Sequence, residues 1–200
     1  MFYCITITVS ALTIALTNTF FGNAPAPIGF FWLLLHTVLG VIGVIAIDGI
    51  FALIIRRLPE RWFAPEARFF SVHKREKNLY RRMGILRWKK HVPEWGCFTG
   101  FHKDRLREPN DSAYIGRFLL ESNYGVAGHI VGAFLGFLIA LFPLFGPLTV
   151  SLPVAAINMI LSLLPTMVLR YNTPALRSLY RRTRERELRC REAEEELLSR

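Results

Sequence analysis

Glu121-Ser122-Asn123-Tyr124-Gly125-Val126-Ala127-Gly128-His129 opens an apolar run that continues to Phe142. At ~1.5 Å rise per residue, a helix over 121–142 is long enough to cross a ~30 Å hydrocarbon core. The stretch sets a carboxylate at the mouth of a membrane-spanning helix and an imidazole inside it. Ionisable groups cost free energy in hydrocarbon, so they tend to face a bundle interior and mark function. Eight residues of helix place the two groups ~12 Å apart along the axis and ~80° apart around it. They share one side but do not reach each other, so a substrate headgroup, a water or a further side chain must bridge them.

The rest of the chain supports a membrane reading. Its 200 residues are 52% hydrophobic, with a mean hydropathy of +0.31, and the apolar residues come in long blocks. Charge is segregated as sharply. Asp48 is the only charged side chain between Met1 and Ile55, and Glu121 the only one between Glu121 and Leu169. Of the 25 Lys and Arg, 16 lie in Arg56–Arg117 and nine in Arg170–Arg200. The net charge of +10 is therefore that of basic aqueous faces, and no nucleic-acid partner is needed to explain it. Some of it also suits anionic lipid headgroups or a phosphorylated cosubstrate. Cys4, Cys97 and Cys190 are odd in number and far apart, which gives neither a disulfide framework nor a metal box.

The expected fold is all-α: a polytopic membrane protein forming a single membrane domain over 1–200. Its four transmembrane helices are expected at about 2–17, 29–55, 121–142 and 149–169. The first span resembles a signal peptide, with small residues at Asn23-Ala-Pro-Ala26, but no basic residue precedes it, which favours an uncleaved helix. The second contains His36 and Asp48; Asp48 lies about two turns from Arg56 and Arg57, so a place near the surface and a functional role are both open. The loop 56–117 interleaves its cations with Trp62, Phe63, Phe69, Phe70, Tyr80 and Trp88, as interfacial amphipathic helices do. Gly128, Gly132 and Gly136 make a smooth strip on the third helix for another helix to approach. Arg170-Tyr-Asn-Thr-Pro174 is expected to close the fourth span, and 170–200 to follow as a charged helical tail. An even number of spans puts both termini and both basic segments on one side. The positive-inside rule makes that side cytoplasmic, in the cell membrane.

Several constellations carry candidate chemistry. His129 suits a general base that activates a hydroxyl, and Glu121 a carboxylate that orients the imidazole or the substrate. A histidine bonded to a neighbouring helix and a glutamate at the interface account for the same residues without chemistry. Arg170, Tyr171 and Asn172 lie where the fourth helix meets the interface. Arg there can clamp a phosphate or carboxylate, although on spacing alone a snorkelling Arg beside a belt Tyr is the simpler account. Trp88-Lys89-Lys90-His91 brings cations and an indole together within reach of a donor's phosphates. No His is followed at the fifth position by Asp, and there is no Gly-x-Ser-x-Gly elbow, phosphate-binding loop or Cys-x-x-Cys pair.

Trp88-Lys89 with Pro93, then Phe101-x-Lys103-x-x-Leu106, Tyr114-Ile-x-x-Phe118-x-x-Glu121, His129, Leu164-Pro165 and Arg170-Tyr-Asn172-x-Pro174 occur in an order that resembles a known family. It is that of the glycosyl-4,4′-diaponeurosporenoate acyltransferases of staphyloxanthin-type carotenoid synthesis. The resemblance covers about 87–176, and the chain departs from the family's pattern at Lys90, Asn123-Tyr124 and Ala175. It implies transfer of a fatty acyl group from a thioester donor to a hydroxyl of a glycosylated carotenoid or other lipid-linked acceptor. It also implies His129 and Glu121 as the catalytic pair and Arg170, Asn172, Tyr171, Lys89, Trp88 and Lys103 as substrate-binding residues. No metal or bound cofactor is expected, with acyl-CoA or an acyl-carrier thioester as cosubstrate. Partners are membrane lipids and the glycosylated acceptor; no protein partner is identified. The competing reading is a non-catalytic membrane subunit that binds lipid or supports a partner complex.

Overall fold

The computed structural model describes residues 2–22, 29–92 and 106–199, and within these every regular element is helical. Six α-helices run in order: α1 (Phe2–Phe21), α2 (Phe30–Arg56), α3 (Lys74–Arg82), α4 (Ile85–Trp88), α5 (Ser112–Leu135) and α6 (Leu148–Leu198). Short 3-10 turns fill the connections at Glu60–Trp62, Arg68–Phe70, Lys89–His91, Gly136–Leu141 and Pro143–Phe145. Four helical stretches are long and apolar enough to cross a membrane: Tyr3–Phe21, Phe30–Arg56, Ser112–Leu141 and the apolar part of Leu148–Leu198. The chain is thus an all-α polytopic membrane protein. On α2, Phe31, Trp32, Ile42, Ile45 and Leu53 are exposed, an arrangement that suits lipid rather than water.

The chain divides into two compact units. The first is built from 1–57, 88–93 and 127–166, the second from 58–87, 94–126 and 167–200. In the first unit Ile14, Ala15, Leu33, Val44, Ile139, Val150, Val154 and Ala155 form one apolar cluster. Two polar contacts fix α1 to α6 there. Proline has no N–H, so Pro153 and Pro165 leave the carbonyls of Thr149 and Leu161 without their helical donors. Asn18 Nδ2 donates to the Thr149 carbonyl at 3.1 Å, and Tyr3 Oη to the Leu161 carbonyl at 2.8 Å. Both prolines are accommodated because side chains of α1 occupy the acceptors they free.

The second unit gathers the basic aromatic loop against its share of α5 and α6. Asp111 caps α5, its Oδ1 accepting from the backbone N–H of Ala113 at 2.8 Å. Asn123 Nδ2 donates to the carbonyls of Phe63 (2.9 Å) and Ala64 (3.2 Å), and the Tyr124 ring stacks on Phe63 at 4.2 Å. Tyr124 Oη donates to the Leu58 carbonyl at 3.2 Å. The departures from the family pattern at 123–124 thus hold the start of the loop on α5. Within the loop, Gly84 separates α3 from α4 with φ +71°, a left-handed conformation that a Cβ disfavours.

One sequence expectation is corrected. The helix is not interrupted at Arg170-Tyr-Asn-Thr-Pro174; α6 continues through it as a single helix of 51 residues. Pro174 removes one backbone donor, but the turns on either side persist, and the Thr173 hydroxyl donates back to the Leu169 carbonyl at 2.9 Å.

The proline contacts yield a double-mutant test. Tyr3→Phe should destabilise the chain in lipid by roughly 0.6–2 kcal/mol, the range for hydrogen bonds between membrane helices. Pro165→Ala restores an N–H to the Leu161 carbonyl, so in that background Tyr3→Phe should be nearly neutral. Unfolding equilibria of the four proteins in mixed micelles measure the coupling, and an equal Tyr3→Phe cost in both backgrounds excludes the mechanism.

Candidate functional site

In the second unit Arg170 forms the centre of a polar network. Its Nη2 donates to Glu76 Oε2 at 2.8 Å, and its Nε to Glu76 Oε1, a two-pronged grip that a guanidinium makes and an ammonium does not. Nη2 also reaches the Ser71 carbonyl at 3.4 Å, and Tyr80 Oη donates to Glu76 Oε1 at 2.6 Å. Arg170 and Glu76 retain only 16% and 24% exposure, so the pair is partly withdrawn from water. The Arg170 hydrogen bonds hold the Glu76 carboxyl below its ordinary value against the opposing effect of burial. Burial, aided by that carboxylate, pushes the Tyr80 phenol up to about 12. Tyr171 follows on the same helix, with Lys77 Nζ 5.6 Å from its ring centroid and Arg81 Nε 3.5 Å from its hydroxyl. Asn172 is half-buried beside them in sequence. The Arg170 clamp anticipated from sequence thus closes on a carboxylate of the chain itself.

Glu121 also belongs to this unit. Its carboxylate lies 3.1 Å from Arg117 Nη2 one turn earlier on α5, and its side chain is 9% exposed. Arg117 reaches Glu60 Oε1 at 3.2 Å as well, so one guanidinium bridges two carboxylates.

His129 lies in the first unit, half-buried on α5, and so do Trp88 and Lys89. Lys103 falls outside the described residues. The helix that carries His129 lies against a group whose role sequence reasoning left open. Gly132, one turn along the same face of α5, lies directly against the Asp48 carboxylate of α2: a Cβ at 132 would stand 2.9 Å from Asp48 Cγ. Gly136, a further turn on, lies against Asn158 of α6, where a Cβ would meet Nδ2 at 2.7 Å. Asp48 Oδ1 and Asn158 Nδ2 are both buried and neither closes a hydrogen bond, although Asn158 and Ser162 stand close enough to act on the carboxylate. At Gly128, by contrast, a Cβ would meet nothing within 4 Å. The glycine strip therefore makes room for polar side chains as well as for helix backbone. An amide donor, a hydroxyl and a carboxylate acceptor are thus gathered inside the apolar span.

Sequence reasoning missed Asn158, Glu76 and Tyr80. An amide inside the apolar run Val154–Leu164 is a readable signal for Asn158. Glu76 sits among Lys74, Arg75 and Lys77, and nothing local ties it to a partner 94 residues away. Among the described residues no group of three His, Cys, Asp or Glu is placed to hold a metal ion.

The architecture is that of an all-helical protein with four helices long and apolar enough to span a membrane. The chain belongs to the glycosyl-4,4′-diaponeurosporenoate acyltransferase family, whose model matches residues 59–182, more than half of the chain. That segment contains Glu121, His129 and Arg170, and the family is one of acyltransferases in carotenoid synthesis. No curated protein and no solved structure matches the chain.

Two outcomes follow from this geometry. Glu76 ionises more readily folded than unfolded, so its pair with Arg170 contributes fully above its ordinary value of 4.5 and is lost as pH falls below it. Arg170→Gln should cost roughly 1.5–3 kcal/mol at pH 7, and the gap from wild type should narrow in acid unfolding titrations. On the glycine strip, Gly128→Ala should stabilise by up to ~1 kcal/mol through helix propensity, whereas Gly132→Ala should destabilise because it displaces the Asp48 carboxylate. Thermal unfolding in micelles gives both signs.

Proposed function

We propose that the chain transfers a fatty acyl group from a thioester donor to a hydroxyl of a glycosylated carotenoid or similar lipid-linked acceptor. The observation that carries this reading is the family match across the segment holding His129, Glu121 and Arg170. His129 takes the proton of the acceptor hydroxyl as its oxygen adds to the thioester carbonyl carbon. The tetrahedral intermediate collapses with cleavage of the C–S bond, and the proton passes to the departing thiolate, so ester and thiol are the products. No side-chain nucleophile is required. Asp48 of α2, set against Gly132 one turn along α5 from His129, is the carboxylate we assign to orient the incoming hydroxyl. Glu121, fixed by Arg117, contributes negative charge at the mouth of the span.

The donor in this reading is acyl-CoA or an acyl-carrier thioester, drawn from the side that carries the Lys and Arg segments. By the positive-inside rule that side is the cytoplasm, with both termini there and the chain in the cell membrane.

Purified protein in lipid, supplied with labelled acyl-CoA and a glucosylated carotenoid acid, tests the assignment. His129→Ala should lower kcat by about 10²–10⁴-fold, the usual contribution of a general base. Asp48→Asn should raise the acceptor KM more than the donor KM, and Glu121→Gln should also reduce turnover. Full activity in a folded His129→Ala variant overturns the site.

A further inference from the structure

The second unit contains a cleft of about 340 Å³ lined by Ser71, Val72, Thr173, Pro174, Arg177, Ser178, Arg181 and Arg182. Its chemistry is one-sided. Three guanidiniums line it, joined by the hydroxyl-bearing Ser71, Thr173 and Ser178, and none of the lining residues is acidic. The acids nearby serve individual cations. Glu76 is held by Arg170, outside the lining, and Glu66 pairs with Arg181 at 3.1 Å through a contact more than half exposed on both sides. Arg177 is the group left over. Its Nη2 donates to the Ala67 carbonyl at 2.8 Å, but its Nε is buried and meets no acceptor.

A buried guanidinium N–H without an acceptor is costly, because the hydration it loses is not replaced. The surrounding charges add to that cost. Burial first, then the charges of Arg181 and Arg170, work against protonation of Arg177, with the pull of Glu66 opposing them. A site with excess positive charge and an unsatisfied planar donor is matched by an anion with several acceptor oxygens, and phosphate is the group whose geometry suits an arginine fork. Arg177 and Arg181, four residues or about one turn apart, place two guanidiniums side by side on one helix face.

We propose that this cleft on α6 is a binding site for a phosphate ester, with Arg177 and Arg181 as its principal donors and Ser178 and Arg182 at its rim. Two sources carry that chemistry: the nucleotide phosphates of a coenzyme A thioester and the headgroup of an anionic phospholipid. Assigning the phosphate to the acyl donor rests on the function proposed above; the site itself does not.

The test uses the full chain in nanodiscs of phosphatidylcholine, with equilibrium binding of 3′,5′-ADP and of inorganic phosphate, and a parallel set of discs containing phosphatidylglycerol. If the donor occupies the cleft, 3′,5′-ADP binds the wild type, and Arg177→Gln and Arg181→Gln each weaken it at least about tenfold. Arg61→Gln, an equal change of charge at an exposed position of the same unit, should shift it less than about twofold. If a lipid occupies it, phosphatidylglycerol abolishes nucleotide binding and co-purifies with the wild type but not with Arg177→Gln. Arg181→Gln, at an exposed side chain, keeps the test valid should Arg177→Gln fail to fold. The proposal is overturned if no probe binds the wild type better than the Arg177→Gln/Arg181→Gln double variant, or if Arg61→Gln weakens binding as much. Acyl transfer measured on the same discs separates the two readings. Transfer without nucleotide or lipid binding removes the site alone, and binding without transfer removes only the assignment to the donor.

Discussion

A peptide carbonyl in hydrocarbon has no water to turn to, and much of the first unit follows from that constraint. Leu148–Leu198 carries prolines at 153 and 165 within its apolar part, each of which leaves an acceptor open four residues earlier. The side chains that fill them, Asn18 and Tyr3, lie near opposite ends of α1, so two bonds set the antiparallel register of α1 on α6. The packing of Ile14 and Ala15 into the apolar cluster is compatible with that register. Hydrophobic contact alone specifies no such register between helices, because lipid chains are as apolar as leucine.

Among the described residues a few buried polar groups lack a partner in the chain. In the first unit they are Asp48 Oδ1 and Asn158 Nδ2, an acceptor and a donor set against successive glycines of the third span. In the second unit the contrast is between two arginines of one helix. Arg170 is neutralised by a carboxylate and braced by a backbone carbonyl, while Arg177, two turns on, has a buried N–H with no acceptor. The first has its hydrogen-bonding partners within the chain. The missing acceptor marks the second as a receptor for something with negative charge.

What the sequence made legible was set by the range of the signals it contains. The four apolar blocks and their flanking charges are local, so span number and helical class were readable. The helix through Pro174 was not. A proline biases the chain against continuing, and only the turns on both sides of it decide otherwise. The site was half legible for a similar reason. Glu121, His129 and Arg170 stand out by their position in or beside apolar runs. The partners that give them meaning do not: Glu76 for Arg170, and Asp48 against the helix face that carries His129. Those pairings depend on tertiary proximity across tens of residues. Gly132 reads as a packing glycine until the carboxylate opposite it is known.

The bond from Tyr3 has a practical bearing on how the protein is handled. It lies in the first turn of α1, so an insertion or substitution at that turn disturbs the register of α1 on α6. Residues 191–199 at the far end of α6 are exposed. A purification tag placed there leaves both proline-freed carbonyls with their donors.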